Sequence, residues 1–214
     1  MVSSTLPGRT QKQRRKFAQG SSQPARGKSR RDLSDPRRND KAQKKMSSQL
    51  DLFIQTAWQE VGYIEGENND TKFGAKFGVN NLPWCGSFVM WCAQKAGVRV
   101  PNVISTAAGA TAFQKSSKWF NAADADPRPG DLAFFDFPGD GVDRISHIGI
   151  VIGNNNDGTV TTIEGNTSSD KKGDQRNGGE VCFKERAYKK KNRGKFRRSI
   201  PVTIVGFGRP TFKE

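Results

Sequence analysis

Residues 81–92 read NLPWCGSFVMWC, and much of what the sequence indicates about architecture and chemistry starts from this segment. Its apolar side chains recur at helical spacing directly after a proline, which predicts a helix over residues 84–96. Cys85 falls in the first turn, where unpaired backbone N–H groups and the helix dipole favour the negative charge of a nucleophilic thiolate. Cys85 is therefore a candidate nucleophile. A cysteine on a helix is more often a small buried side chain, and Cys92 and Cys182 fit that description.

Helices come first in the chain and strands come second. Apolar residues at helical spacing predict two further helices, over residues 48–61, with Ser47 or Ser48 as the N-cap, and over residues 107–119. Short β-branched or aromatic segments, separated by Gly, Asn and Asp turns, predict strands over residues 131–137, 147–153, 159–164, 181–185 and 201–208. This order predicts an α+β fold in which N-terminal helices pack on an antiparallel sheet.

The positive charge of the chain is unevenly distributed. The sequence has 214 residues and a net charge of +15, to which residues 1–46 contribute +11 and residues 170–198 contribute +8. Residues 1–46 have no periodic apolar face, so we expect a disordered basic tail followed by a folded domain over residues 47–214. The tail is either a solvated segment or an electrostatic anchor for a polyanion.

Several classes of protein are excluded by motifs that the sequence lacks. One His, three Cys and no H-E-x-x-H motif argue against a dedicated zinc hydrolase site. No phosphate-binding glycine motif is present, which argues against a nucleotide-driven enzyme. Apolar runs are far shorter than the roughly 18 residues of a membrane span, and the charged N-terminus lacks the apolar centre of a signal peptide. We therefore expect a protein made in a cytoplasm that does not depend on disulfides.

The chain contains one histidine that could act with Cys85. His147 begins a predicted strand, and Glu164 and Asn166 follow about one hairpin later. Because Glu164 and Asn166 are two positions apart, their side chains are predicted to face the same side of a strand. A polar group on a neighbouring strand is what orients a catalytic imidazole. The order Cys85, His147 and then a polar residue is therefore that of a cysteine hydrolase.

Five segments of the chain together resemble a CHAP domain. They read EVGY at 60–63, NLPWCGSFVMWC at 81–92, PGDLAFF at 129–135, SHIGIV at 146–151 and IEGNT at 163–167, in the order of the family. CHAP domains are cysteine-dependent amidases and endopeptidases of peptidoglycan, frequent in phage lysins and bacterial wall hydrolases. The resemblance covers about residues 48–210 and implies a papain-like fold. It implies that Cys85 is the nucleophile, that His147 is the base, and that Glu164 and Asn166 orient the imidazole.

The resemblance also implies where the protein acts and on what. We expect a phage-encoded endolysin or virion-associated lysin that cleaves the N-acetylmuramoyl-L-alanine amide bond or a peptide bond of peptidoglycan. It would be a monomer made in the host cytoplasm without a signal peptide, and it would act at the bacterial cell wall. The charge of residues 1–46, and not the resemblance, suggests that the basic tail would bind anionic wall polymers, nucleic acid or virion proteins.

Two acidic loops offer oxygen ligands for calcium. The acidic residues are Glu65, Glu67 and Asp70 in one loop, and Asp136, Asp140 and Asp143 in the other. Neither loop follows the spacing D-x-[DN]-x-[DN]-G, and turns rich in Asp and Gly form without a metal. No metal site and no cofactor are predicted, and calcium stays an open alternative.

A second class of function also fits the charge of the chain. In this interpretation the tail binds nucleic acid or virion components, and the folded body is an inactive hydrolase-like domain. The joint presence of Cys85, His147 and a polar orienting residue favours the enzyme. Cys85→Ala separates the two, because it should abolish wall lysis and leave polyanion binding intact.

Overall fold

The computed structural model describes residues 48–138, 141, 144–170, 173–189 and 201–213, and the predicted tail lies outside them. Within these residues helices precede strands, which confirms the α+β order. The helices are α1 (Gln49–Gln59), α2 (Lys72–Lys76), α3 (Cys85–Lys95) and α4 (Thr106–Lys115), and Glu67–Asn69 form a 3₁₀ turn. The strands are β1 (Trp119–Asn121), β2 (Leu132–Phe135), β3 (His147–Asn154), β4 (Thr159–Thr167), β5 (Glu180–Ala187) and β6 (Ile204–Gly208). None of the helices described has the length and apolar character needed to cross a membrane.

The strands form one antiparallel sheet in the order β1-β6-β2-β3-β4-β5. Helix α3 packs against β3 and β4, and helices α1 and α2 pack against α3. The helix that begins with Cys85 therefore contacts both of the strands that carry His147 and Glu164. Helices on an antiparallel sheet are the arrangement expected of a papain-like fold.

Apolar side chains cover both faces of the sheet. On the helix side, Phe53, Phe73, Trp84 and Phe88 pack with sheet residues that include Phe134, Ile148, Ile150 and Ile163. On the opposite side the packed residues include Phe135, Val151, Val160 and Phe207. Burying each large apolar side chain contributes about 1.5–3 kcal/mol to folding. Side chains alternate along β3, since Ile148 and Ile150 lie in one core and Val151 lies in the other.

Local signals explain the limits of α1. The Ser48 hydroxyl accepts a hydrogen bond from the Asp51 N–H (3.1 Å), and the Asp51 carboxylate accepts one from the Ser48 N–H (3.2 Å). This capping box satisfies N–H groups that have no partner within the helix, and it confirms Ser48 as the N-cap. Gly62 follows the helix with φ +91°, a conformation that glycine adopts without steric cost.

The prediction of a helix over residues 107–119 is wrong at its C-terminal end. Helix α4 ends at Lys115, and Ser117 adopts φ +56° shortly after it. Trp119 belongs to β1, where it pairs with Gly208 of β6. The ring of Trp119 packs against that of Phe134 with centroids 5.3 Å apart, so tertiary packing overrides the helical spacing of the apolar residues.

Candidate active site

Cys85 is the first residue of α3, and it is held there by a buried tryptophan. The Cys85 residue is 3% exposed, and Trp84 beside it is fully buried. The Trp84 indole N–H donates to Glu65 Oε2 (2.5 Å), and its ring stacks on Phe73 with centroids 5.3 Å apart. The first turn of α3 is thus anchored on its N-terminal side, which limits the positions open to the sulfur.

Gly86 lets the chain approach this turn closely. A Cβ atom at position 86 would lie 2.1 Å from the Val103 carbonyl oxygen and 2.7 Å from the Ile104 Cα atom. Because both neighbours are backbone atoms, they could not move aside without shifting the loop. Glycine next to Cys85 is therefore required by packing.

His147 is the first residue of β3 and is fully buried. Its two ring nitrogens have different surroundings. Its Nε2 atom lies 3.1 Å from Glu164 Oε2. Because Glu164 engages Nε2, Nδ1 is the nitrogen that remains to exchange a proton with Cys85. The rings of Phe135 and Phe137 lie 5.4 and 5.6 Å from the imidazole and restrict its rotation.

The electrostatics of the site favour a charged imidazole. Burial disfavours the imidazolium and lowers the pKa of His147, but the charge and hydrogen bond of Cys85, together with the hydrogen bond and charge of Glu164, outweigh it. The result is a pKa of about 9 for His147. An imidazole with a raised pKa accepts the thiol proton readily and holds it next to the thiolate.

Glu164 is fully buried and its two carboxylate oxygens accept four hydrogen bonds. Oε1 accepts from the Thr162 hydroxyl (2.5 Å) and from Arg186 Nε (2.8 Å). Oε2 accepts from Arg186 Nη2 (2.5 Å) and from His147 Nε2. Burial alone would raise the pKa of Glu164, but the charge and hydrogen bonds of Arg186 and His147 hold it far below its usual range. The carboxylate is thus ionised and fixed at the imidazole.

Asn166 lies on the same strand but in a different environment. The register of β4 with β5 shifts between Glu164 and Thr167, and Asn166 adopts φ +57°, so the regular alternation is interrupted there. The Asn166 amide donates to Asn177 Oδ1 (3.0 Å), and its own Oδ1 has no partner among the described residues. Among the described residues, Glu164 is hydrogen-bonded to His147 and Asn166 is not. The orienting role of Asn166 stays a prediction.

Sequence reasoning missed Arg186. The strand predicted over residues 181–185 extends to Ala187, and this extension brings Arg186 to Glu164. One signal was available: Arg186 is a basic residue that continues the side-chain alternation of the predicted strand, and this strand pairs with the strand that carries Glu164.

Gly149 keeps room for the carboxylate beside the imidazole. A Cβ atom at position 149 would lie 2.6 Å from Glu164 Cγ, so Glu164 fills the space that glycine leaves. We predict that Gly149→Ala displaces Glu164 and lowers kcat/KM for wall hydrolysis about 10- to 100-fold, with an overpacking cost of about 1–3 kcal/mol in stability. Gly153→Ala is the matched control, because it lies on the same strand with nothing within 4 Å of the added atom. Equal kinetics for the two variants would contradict this role of Gly149.

The acidic loops show no cation site in the described part of the chain. No group of three or more His, Cys, Asp or Glu side chains there could hold a metal ion. The Asp70 carboxylate accepts a hydrogen bond from the Asn80 amide (2.6 Å), and the Glu65 carboxylate binds Trp84. Asp140 and Asp143 lie outside the described residues.

The site has the arrangement found in cysteine hydrolases, with a cysteine at the start of a helix and a hydrogen-bonded His–Glu pair on the adjoining strands. Residues 77–166 match the family model of the CHAP domain. This segment contains Cys85, His147 and Glu164, and the match confirms the resemblance that the sequence motifs indicated.

A comparison with solved structures gives a more distant similarity. One of them is a Staphylococcus aureus protein described as similar to a lipoprotein of the NLP/P60 family, with 12% sequence identity and a TM-score of 0.39. The alignment covers 73% of this chain and 41% of the S. aureus chain, so the present chain spans less than half the length of that structure. No curated protein sequence matches this chain.

Proposed function

We propose that this protein is a peptidoglycan hydrolase that cleaves an amide bond through a Cys85 thiolate. The observation that supports the proposal is the arrangement of three residues. Cys85 lies in the first turn of a helix, its charge raises the pKa of the buried His147 imidazole, and the buried Glu164 carboxylate is hydrogen-bonded to that imidazole. The match of residues 77–166 to the CHAP domain supports this class of substrate.

The first half of the reaction would transfer an acyl group to Cys85. His147 takes the thiol proton at Nδ1, and the thiolate attacks the carbonyl carbon of the amide. The carbonyl oxygen becomes an oxyanion, which backbone N–H groups in the first turn of α3 stabilise. When the intermediate collapses, the carbon–nitrogen bond breaks and the imidazolium gives its proton to the leaving amine. The products are a free amine and a thioester on Cys85.

The second half would return the enzyme to its starting state. His147 takes a proton from a water molecule, whose oxygen attacks the thioester carbonyl. The carbon–sulfur bond breaks, a carboxylic acid is released, and the Cys85 sulfur recovers a proton from the imidazolium. Throughout both halves Glu164 accepts the hydrogen bond from Nε2–H, which keeps Nδ1 directed at the sulfur and stabilises the imidazolium.

The bond that is cut can be identified from the products. Digestion of purified cell walls followed by mass spectrometry should reveal one new kind of terminus that increases with time. A new N-terminal alanine on the stem peptide would mean an amidase, and a new terminus within the stem or cross-bridge would mean an endopeptidase. Cys85→Ala protein is the control and should release neither product. If the protein releases no new amino terminus from the cell walls of any bacterium tested, the proposal is contradicted.

A phage-encoded lysin held at its target by the basic tail is the finer form of the proposal. The net charge of +11 over residues 1–46 supports binding to anionic wall polymers, nucleic acid or virion components. The alternative of a binding protein with an inactive body predicts that the wild-type chain and Cys85→Ala both fail to lyse walls and bind polyanions equally.

A further inference from the structure

Arg186 is the one described cation that makes a two-pronged contact with the carboxylate of the site. It lies on β5 with a side chain that is 9% exposed. Its Nε atom donates to Glu164 Oε1 (2.8 Å) and its Nη2 atom donates to Oε2 (2.5 Å). A guanidinium fork of this kind fixes both the position and the plane of a carboxylate.

Other contacts fix the guanidinium itself. Its carbon lies 5.5 Å from the Phe135 ring centroid and 5.2 Å from that of Phe137, the same two rings that flank His147. Its Nη1 atom donates to Gln175 Oε1 (3.3 Å). The Gln175 amide in turn donates to the backbone carbonyl oxygens of Asp170 (2.9 Å) and Gly173 (2.8 Å). Arg186 therefore joins the aromatic surroundings of the imidazole to its carboxylate and to the loop beyond β4.

The charge of Arg186 is needed because Glu164 has no access to water. An ionised carboxylate without solvent is unstable unless an opposite charge and hydrogen bonds compensate it. Thr162 and His147 each supply one hydrogen bond, whereas Arg186 supplies two and a permanent positive charge. Arg186 lies beyond the segment that matches the CHAP domain model, which ends at residue 166.

We infer that Arg186 is a positioning residue that keeps Glu164 ionised and directed at His147, so that the working unit is Cys85, His147, Glu164 and Arg186. This inference rests on the proposed function for the roles of Cys85 and His147. It predicts that loss of the Arg186 charge lets Glu164 bind a proton in the acidic range. A neutral Glu164 no longer stabilises the imidazolium, so the thiolate form of the site is lost at a higher pH than in the wild type.

The test compares three variants of the full chain by two readouts. Arg186→Met keeps the length of the side chain and removes the charge, and Arg186→Lys keeps the charge and removes the fork. Arg209→Met is the matched control, because Arg209 makes the same two-pronged contact with the buried Asp131 (2.8 Å for each bond). The first readout is the rate at which iodoacetamide alkylates Cys85 as a function of pH, and peptide mass mapping measures the label on that cysteine. The second is kcat and KM for hydrolysis of soluble wall fragments.

We expect the acidic limb of the alkylation profile to move up by about one pH unit or more in Arg186→Met. In that variant kcat at pH 6 should fall about 10- to 100-fold with little change in KM, because an orienting contact and not a substrate contact is lost. Arg186→Lys should keep the wild-type alkylation profile and lose only several-fold in kcat. Arg209→Met should lower the melting temperature and leave the profile unchanged.

A folded Arg186→Met protein with the wild-type alkylation profile and kcat would overturn the inference. If Arg186→Met does not fold, Arg186→Lys decides, since a wild-type kcat in that variant would overturn it equally. The alkylation readout needs no substrate. A shifted profile in Arg186→Met therefore supports the inference even if the wild-type chain hydrolyses no wall fragment, a result that would contradict the proposed function alone.

Discussion

Cys85→Ser should lower the rate of wall hydrolysis about 10³-fold or more, because members of a catalytic unit fail together when one is removed. A hydroxyl at this position is far less acidic than a thiol, so the imidazole cannot convert it into an effective nucleophile. Release of soluble fragments from purified walls measures the effect. The substitution replaces one sulfur atom by oxygen in a nearly closed site, so the fold should be retained.

Two other cysteines of the chain provide matched controls for this change. Cys92 is fully buried on the same helix, and burial, then the charge of Glu60, raises the pKa of its thiol well above the usual value. Cys182 lies on β5, and burial also raises its pKa. Both thiols are therefore neutral at pH 7, so Cys92→Ser and Cys182→Ser should retain activity with some loss of stability. Retention of full wall lysis by Cys85→Ser would exclude the cysteine mechanism.

His147→Ala should lower kcat by a similar factor, about 10³-fold or more, because the substitution removes the group that takes the thiol proton in the proposed reaction. Glu164→Gln should cost less, since Glu164 orients the imidazole and does not react. Both variants are measured by hydrolysis of soluble wall fragments, with near-ultraviolet circular dichroism to confirm packing of the neighbouring aromatic rings. Activity of His147→Ala within a few-fold of the wild type would contradict the assignment of the base.

The pH profile of the wild-type chain tests the same residue without a substitution. Because the pKa of His147 is raised to about 9, its imidazolium persists through neutral pH and is lost as the pH rises through that value. The basic limb of the kcat/KM profile should therefore lie near pH 9 and not near 6.5, the ordinary pKa of histidine. A basic limb near 6.5 would show that the charges of Cys85 and Glu164 do not act on the imidazole as the structure indicates.

Local signals made much of the fold predictable. Ser48 and Gly62 delimit α1 through a side-chain cap and a positive φ angle, both of which depend on nearby residues alone. The end of α4 was not predictable in this way, since Trp119 leaves the helical pattern to pair with Gly208, far away in the chain. Pairing extends β4 to Thr167 and β5 to Ala187 beyond the apolar segments, whereas β2 and β6 are shorter than the predicted strands over residues 131–137 and 201–208.

The site could be predicted at the residues to which both the spacing of the motifs and the family resemblance point. Cys85, His147 and Glu164 stand in recognisable motifs, and the structure brings the last two into hydrogen bonding. Arg186 escaped prediction because its contact with Glu164 depends on the register of two strands, which a single sequence does not reveal. The same irregular register explains why simple alternation was a poor guide to the surroundings of Asn166.

The most direct test of the central claim is a titration of the wild-type chain with iodoacetamide at pH 7. Peptide mass mapping gives the fraction of each cysteine that is labelled, and hydrolysis of soluble wall fragments gives the remaining activity of the same samples. We predict that activity falls in proportion to the label on Cys85, that substrate slows the labelling, and that Cys92 and Cys182 stay unmodified. Undiminished hydrolysis by protein whose Cys85 is fully alkylated would contradict the claim that this thiolate is the nucleophile.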